Sequence, residues 1–240
     1  MIKAIAKVNR NLSQLPDSKL REKKFSNSTQ FRIIINFKAY KEGTGEEAVK
    51  LAKICSEFSK KEKIIIAAQE SDIRVISKIK KITVFAQHVD AVEYGPHTGA
   101  ILAEDVKKAG AKGSLLNHSE KRISFKDLKF CVKKLRKLRM TSVVCVQSVN
   151  EAKKIAKLKP NYIAYEPPSL IGGKVSVSTA KPDVIKKVVQ AVKIPILVGA
   201  GIHSRKDVIA AKKLGAKGIL VSSAVVKAKK PEKVLRELVV

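Results

Sequence analysis

The residues best placed to do chemistry begin with Glu166, in the run Tyr165-Glu166-Pro167-Pro168. A carboxylate directly after an apolar stretch must be paired, solvated or functional, because burying it alone is costly. The two prolines restrict φ at their own positions and the backbone of Glu166 before them. Polar side chains close other apolar runs in the same way: Asn36-Phe37-Lys38, Gln87-His88 and Asn117-His118-Ser119-Glu120. Gly199-Ala200-Gly201 and Ser222-Ser223 add small residues just ahead of helical segments, where backbone N–H groups and the helix dipole can hold a phosphate. Between Pro167 and Gly173 the segment is apolar at Leu170 and Ile171 and flexible at its glycines, which suits a lid over a bound ligand. Taken singly, each signal has a plainer reading. Lys38 could be a surface lysine, His118 a satisfied structural histidine, Glu166 a loop carboxylate, and the glycines ordinary tight turns.

These groups share a position that dictates the fold. Apolar runs at Arg32–Asn36, Ile64–Ala68, Thr83–Gln87, Gly113–Asn117, Ser142–Val146, Tyr162–Tyr165, Ile196–Gly199 and Gly218–Val221 read as strands. Amphipathic segments follow them, most clearly Glu46–Lys60, Lys126–Arg139, Val149–Leu158, Lys181–Val192 and Arg205–Leu214. Ser204 stands where an N-cap belongs, and Gly215 lies just past the last turn of that segment. Evenly spaced strand–helix units imply a parallel sheet buried on both faces. The expected fold is α/β, a closed eight-stranded parallel (β/α)8 barrel over residues 31–240, with an open doubly wound sheet as the alternative. In such a barrel the strand ends converge on one mouth, so the polar residues above would meet there. Residues 1–30 lack a sustained period and read as a loosely ordered basic extension.

Composition narrows the function classes. No apolar stretch approaches the ~20 residues that span a bilayer, and no secretory signal is visible. Cys55, Cys131 and Cys145 are far apart and odd in number, which suits a reducing cytoplasm better than a disulfide framework or a metal site. The formal charge of +29 raises the question of nucleic acid. Lysine pairs such as Lys107-Lys108, Lys133-Lys134 and Lys153-Lys154 fall on the polar faces of helices, without interleaved aromatics. The simpler reading is a lysine-rich solvated surface that also attracts an anionic substrate. Neither nucleic acid nor membrane is expected as a partner.

On these motifs the chain closely resembles the triosephosphate isomerase family, in its short archaeal form. Asn36-Phe37-Lys38, Ala86-Gln87-His88-Val89-Asp90, Leu116-Asn117-His118-Ser119-Glu120, Tyr165-Glu166-Pro167-Pro168 with Leu170-Ile171-Gly172, and Gly199-Ala200-Gly201-Ile202 occur in family order. Ser222-Ser223 with Val226-Lys227-Ala228-Lys229 completes the series. The resemblance implies Glu166 as the base, His118 as the carbonyl-polarising electrophile and Lys38 as the cation beside an enediolate. It implies substrate contacts at Asn36, Phe37, Lys38, Ile171, Gly172, Gly201, Ser222 and Ser223, and a supporting pair between Glu120 and Lys38. It further implies a phosphosugar substrate, no metal or other cofactor, and a homo-oligomer, a tetramer in preference to a dimer, with Asp90–Gly99 as the loop that packs on a neighbouring subunit. Two motifs depart from the family: Gly172-Gly173-Lys174 where the lid commonly ends Gly-Thr-Gly, and Ser222-Ser223 where Gly-Gly or Ala-Ser is usual. Two other functions compete with this one. Another phosphate-binding barrel enzyme would need different strand-end residues, such as metal-binding histidines, and a basic nucleic-acid-binding barrel would owe nothing to Glu166.

Overall fold

The computed structural model describes residues 30–59, 63–167, 182–199 and 201–240. Most of the N-terminal extension, the lid with Ile171 and Gly172, and Ala200 therefore lie outside the described residues. Eight parallel strands close on themselves in sequence order, β1 (Arg32–Asn36), β2 (Lys63–Ala68), β3 (Thr83–Ala86), β4 (Gly113–Leu116), β5 (Thr141–Val146), β6 (Tyr162–Tyr165), β7 (Ile196–Val198) and β8 (Gly218–Val221). Around them run α1 (Gly45–Glu57), α2 (Ile73–Ile76), α3 (Ala103–Ala109), α4 (Phe125–Lys137), α5 (Val149–Ala156), α6 (Pro182–Ala191), α7 (Arg205–Lys213), α8 (Ser223–Val226) and α9 (Pro231–Leu238). Phe31–Val240 forms one unit, and the expected barrel is the barrel found.

The strands are mostly apolar because each buries both of its faces. Ile33 and Ile35 of β1 point outward into the layer shared with the helices, while Ile34 between them points into the barrel. The interior set of Ile34, Ile65, Phe85, Val143, Tyr162 and Leu197 fills the centre, with alanines and glycines making room. Gly113 is one such place. A β-carbon there would stand 2.4 Å from the Thr141 carbonyl oxygen and 2.8 Å from the Phe85 ring. Closed packing of this kind converts small volume changes into strain.

Helix boundaries follow local capping chemistry. Ser204 Oγ accepts a hydrogen bond from the Asp207 N–H, and the Asp207 carboxylate accepts one from the Ser204 N–H, closing a capping box at α7. Gly110 (φ 116°) and Gly215 (φ 91°) end α3 and α7 in the left-handed conformation. Their N–H groups donate to carbonyls three residues back, at Lys107 and Lys212. Arg139 (φ 57°) and Lys159 (φ 54°) occupy the same slot after α4 and α5, donating to Arg136 and Ala156. For a residue with a β-carbon that conformation costs about 1–2 kcal/mol.

Several expectations shift on the structure. Gln87, Asn117 and Gly199 fall just outside β3, β4 and β7, because the chain turns there to enter the mouth. Helix α1 ends at Glu57, with Phe58 as its cap, short of the expected Lys60. Lys134, expected on a solvated helix face, is buried, and its ammonium pairs with Glu93 and with Glu104 at 2.5 Å. A buried lysine is tolerated only in such company. Replacing Gly113 by Ala should lower unfolding stability by about 1–3 kcal/mol in urea denaturation. An unchanged midpoint would show that the Phe85–Gly113 contact can relax at no cost.

Candidate active site

The inward row of each strand continues past its last hydrogen bond, and that continuation builds the site. Ala164 faces the barrel interior, so Glu166, two residues on, faces the mouth. By the same alternation Asn36 follows Ile34, Gln87 follows Phe85, Gly199 follows Leu197 and Ser222 follows Leu220. His118 is out of step with Leu115. Asn117 corrects the phase by adopting a left-handed conformation (φ 60°). Its amide donates to the Cys145 carbonyl at 3.0 Å and to Glu151 at 3.3 Å, and its Oδ1 accepts from the Ile123 N–H at 3.2 Å. Arg122 pairs with the same Glu151 and donates to the Asn117 carbonyl at 3.3 Å. Asparagine tolerates this backbone better than most residues, and the surrounding bonds hold it.

The result is a cavity at the C-terminal ends of the strands, lined by Asn36, Lys38, His118, Glu120 and Glu166 on one side. Gly201, Ile202, Ser222 and Ser223 line it from the loops after β7 and β8. Of the expected site residues that are described, only Phe37 stays outside. Its ring is fully buried in the layer between strands and helices, where it supports the turn and meets no ligand space.

Glu166 is 4 % exposed, and its Oε2 has no hydrogen-bond partner among the described residues. Burial raises its pKa to about 7, against the pull of the Cys145 thiol, Lys38 and Arg122. Its Oε1 lies 3.6 Å from His118 Nε2. The Glu120 N–H donates to His118 Nδ1 at 3.2 Å, so a neutral ring carries its proton on Nε2, toward the cavity and Glu166. Burial, followed by the charge of Lys38, lowers the His118 pKa against the opposing effect of Glu120 and keeps the imidazole neutral.

Lys38 is itself in a left-handed conformation (φ 50°). Its N–H donates to Asn36 Oδ1 at 3.0 Å, its carbonyl accepts from Gln87 Nε2 at 2.9 Å, and its ammonium pairs with Glu120 at 2.6 Å. Ser222 Oγ donates to the Asn36 carbonyl at 2.7 Å, tying the β8 loop to the β1 loop. In α8, which starts at Ser223, the N–H groups of Val225 and Val226 donate to the Ser222 carbonyl at 3.0 Å, which leaves those of Ser223 and Ala224 at the start of the helix to meet a ligand.

Sequence reasoning missed two supports. Gln87 was a polar strand end without a role; its place on the inward row, two residues after Phe85, was the available signal. Gly199 was read for its bare N–H. A β-carbon there would stand 2.6 Å from Glu166 Cγ, so its missing side chain is the space that the carboxylate occupies. His88 resolves the other way. It is buried against Asp90 at 3.0 Å, away from the cavity.

The family model described as Triosephosphate isomerase matches residues 31–238. A triosephosphate isomerase of Methanothermus fervidus is 48% identical over 214 residues, covering 86% of this chain and 96% of the relative. That of Archaeoglobus fulgidus is 46% identical over the same shares. The crystal structure of a triosephosphate isomerase from Bartonella henselae shares the fold, with TM-score 0.67 at 20% identity, covering 88% of this chain and 96% of that one.

Because the Glu166 pKa is raised in the folded state, ionising it costs folding free energy as pH climbs from about 4.5 to about 7. Below that window both folded and unfolded chains hold the proton and the penalty vanishes. Glu166→Gln should therefore stabilise the fold at pH 8 by on the order of 2–3 kcal/mol, and by much less at pH 4.5. Equal effects at the two pH values in denaturant titrations would contradict the desolvated carboxylate.

Proposed function

Because this chain belongs to the triosephosphate isomerase family, we propose that Glu166 is its catalytic base, His118 its electrophile and Lys38 the cation that stabilises the intermediate. The reaction is the interconversion of dihydroxyacetone phosphate and D-glyceraldehyde 3-phosphate, an isomerisation of glycolysis and gluconeogenesis. The observation that carries the assignment is the Glu166 carboxylate, nearly dry and raised toward neutrality, beside the protonated Nε2 of His118. A base with a pKa near the working pH takes a carbon-bound proton well and returns it well.

The proton leaves one substrate carbon for a Glu166 oxygen while His118 Nε2–H hydrogen-bonds the neighbouring carbonyl oxygen. Negative charge gathers on the enediolate oxygens, where Lys38 and His118 lie. The proton returns to the adjacent carbon and completes the exchange of aldehyde for ketone. Asn36 orients the substrate and Glu120 holds the Lys38 ammonium in place. The phosphate rests against the backbone of Gly201, Ser222 and Ser223. We assign Ile171 and Gly172, by their motif, to a lid that closes over it and excludes water.

We read residues 31–240 as the catalytic domain and residues 1–30 as an extension of it, in keeping with the span that the family model matches. A cytoplasmic setting agrees with the three buried thiols, which are unpaired. The assembly is a homotetramer in this reading, with a dimer as the alternative. The loop at Asp90–Gly99, with Tyr94 63% exposed at its centre, offers the contact with a second copy.

In a coupled assay of glyceraldehyde 3-phosphate isomerisation, Glu166→Gln and His118→Ala should each lower kcat by about 10²–10⁴-fold. Equal turnover in wild type and Glu166→Gln would remove Glu166 from the role of base. The acid limb of the wild-type kcat/KM profile should fall with an apparent pKa near 7, because the base must be ionised in the free enzyme. Light scattering should return the mass of four chains.

A further inference from the structure

The helix carboxylates gather mainly on one face of the barrel, where exposed cations such as Lys126 and Lys206 accompany them. Helices run antiparallel to the strands, so their first turns crowd the catalytic side and their last turns crowd the opposite side. Glu46 and Glu47, Asp127, Glu151 and Asp207 lie in first turns. Lysine and arginine fill the last turns of α3, α4, α5 and α7. Among the described residues, only Glu57 and Glu237 bring exposed carboxylates to the last turns.

That segregation alone is what helix dipoles favour. The strands add something the dipoles do not require. Each strand from β2 to β8 has an exposed cation at or just before its first residue. Lys63 opens β2, Lys81 precedes β3 and Lys112 precedes β4. Arg139, Lys159, Lys193 and Lys217 do the same for β5 to β8. Because the sheet is closed, these seven side chains form a ring around the barrel end opposite the active site. Among the described residues none of them is in an ion pair. Lys81 (φ 68°), Arg139 and Lys159 hold their charges from left-handed backbone, the conformation that glycine fills before β4 and β8. A set of exposed like charges without counter-charges attracts an anionic partner.

We propose that this face docks the sugar-phosphate backbone of a nucleic acid, without reading its sequence. The charges are spread around a ring whose strands lie about 4.8 Å apart, and that arrangement matches a chain of phosphates better than a single anion. Exposed Tyr94 and Phe125 lie on the catalytic side, so among the described residues the ring has no exposed aromatic platform and base stacking plays no part. The same absence of an exposed apolar wedge sets the face apart from surfaces that insert into lipid. The isomerase site stays open, because it lies at the other end of the barrel.

The test uses the full chain and a fluorescent 20-base-pair DNA duplex of arbitrary sequence, with binding read by anisotropy across a salt series. One variant replaces Lys81, Arg139, Lys159, Lys193 and Lys217 by Gln. A control of equal charge change replaces Lys50, Lys53, Lys129, Lys186 and Lys187, which lie on helices. The ring variant should bind at least about tenfold more weakly at low salt, with a shallower dependence of log K on log salt. The control should bind nearly as wild type does, and both should keep isomerase activity, which shows that they are folded. Equal weakening in the two variants would reduce the effect to net charge and overturn the site. Undetectable wild-type binding to the duplex would overturn it as well, as would binding of phosphatidylserine vesicles in preference to the duplex.

Discussion

A carboxylate that must ionise inside a nearly dry wall is the constraint on which the rest of the site depends. Glu166 has too little solvent to be an ordinary acid, and this raises its pKa toward 7. The surroundings are arranged so that the shift stops there. Lys38 and Arg122 favour the charged form from a distance, while among the described residues no donor locks Oε2. A close salt bridge would have made the group a poor proton acceptor, and a wholly apolar pocket would have kept it protonated. The site gives up some folding stability to hold the Glu166 carboxylate in that intermediate condition, a recurrent trade at functional positions.

Holding the carboxylate there consumes backbone as well as charge. Gly199 leaves the space that the Glu166 side chain fills. Asn117 and Lys38 take left-handed conformations that put His118 and the Lys38 ammonium on the cavity side. Each strained turn is held by bonds to its neighbours: Asn117 by Cys145, Glu151 and Ile123, and Lys38 by Asn36, Gln87 and Glu120. The mouth is thus a network in which loops after β1, β3, β4, β6, β7 and β8 restrain one another, above a barrel whose closed packing gives them little freedom to drift.

The extent to which this was legible varies with the range of the interaction concerned. Strand periodicity, the Ser204 cap and the Gly215 stop are local, and the structure places each where the pattern puts it. The polar strand ends were legible because closing a parallel barrel brings them together whatever the exact register. Gln87 was half legible: its inward phase was visible, but its acceptors on Lys38 and Ala67 come from the loop after β1 and from β2. Phe37 was misplaced because adjacency to Asn36 and Lys38 in a motif does not decide which way a ring turns. Lys134 was misplaced because its partners, Glu93 and Glu104, lie far back in the chain and gave no periodic signal.

The amino-acid sequence by itself therefore determined the barrel, the set of reactive side chains and the strand ends that carry them. These follow from alternation, helical period and family motifs, all of which are local in the chain. Only the tertiary structure decided that Glu166 is desolvated, that the His118 proton sits on Nε2, that Gly199 is a space and not merely a turn, and that the cations form a ring. Those properties depend on distances between residues remote in sequence, and no one-dimensional pattern encodes how close they come.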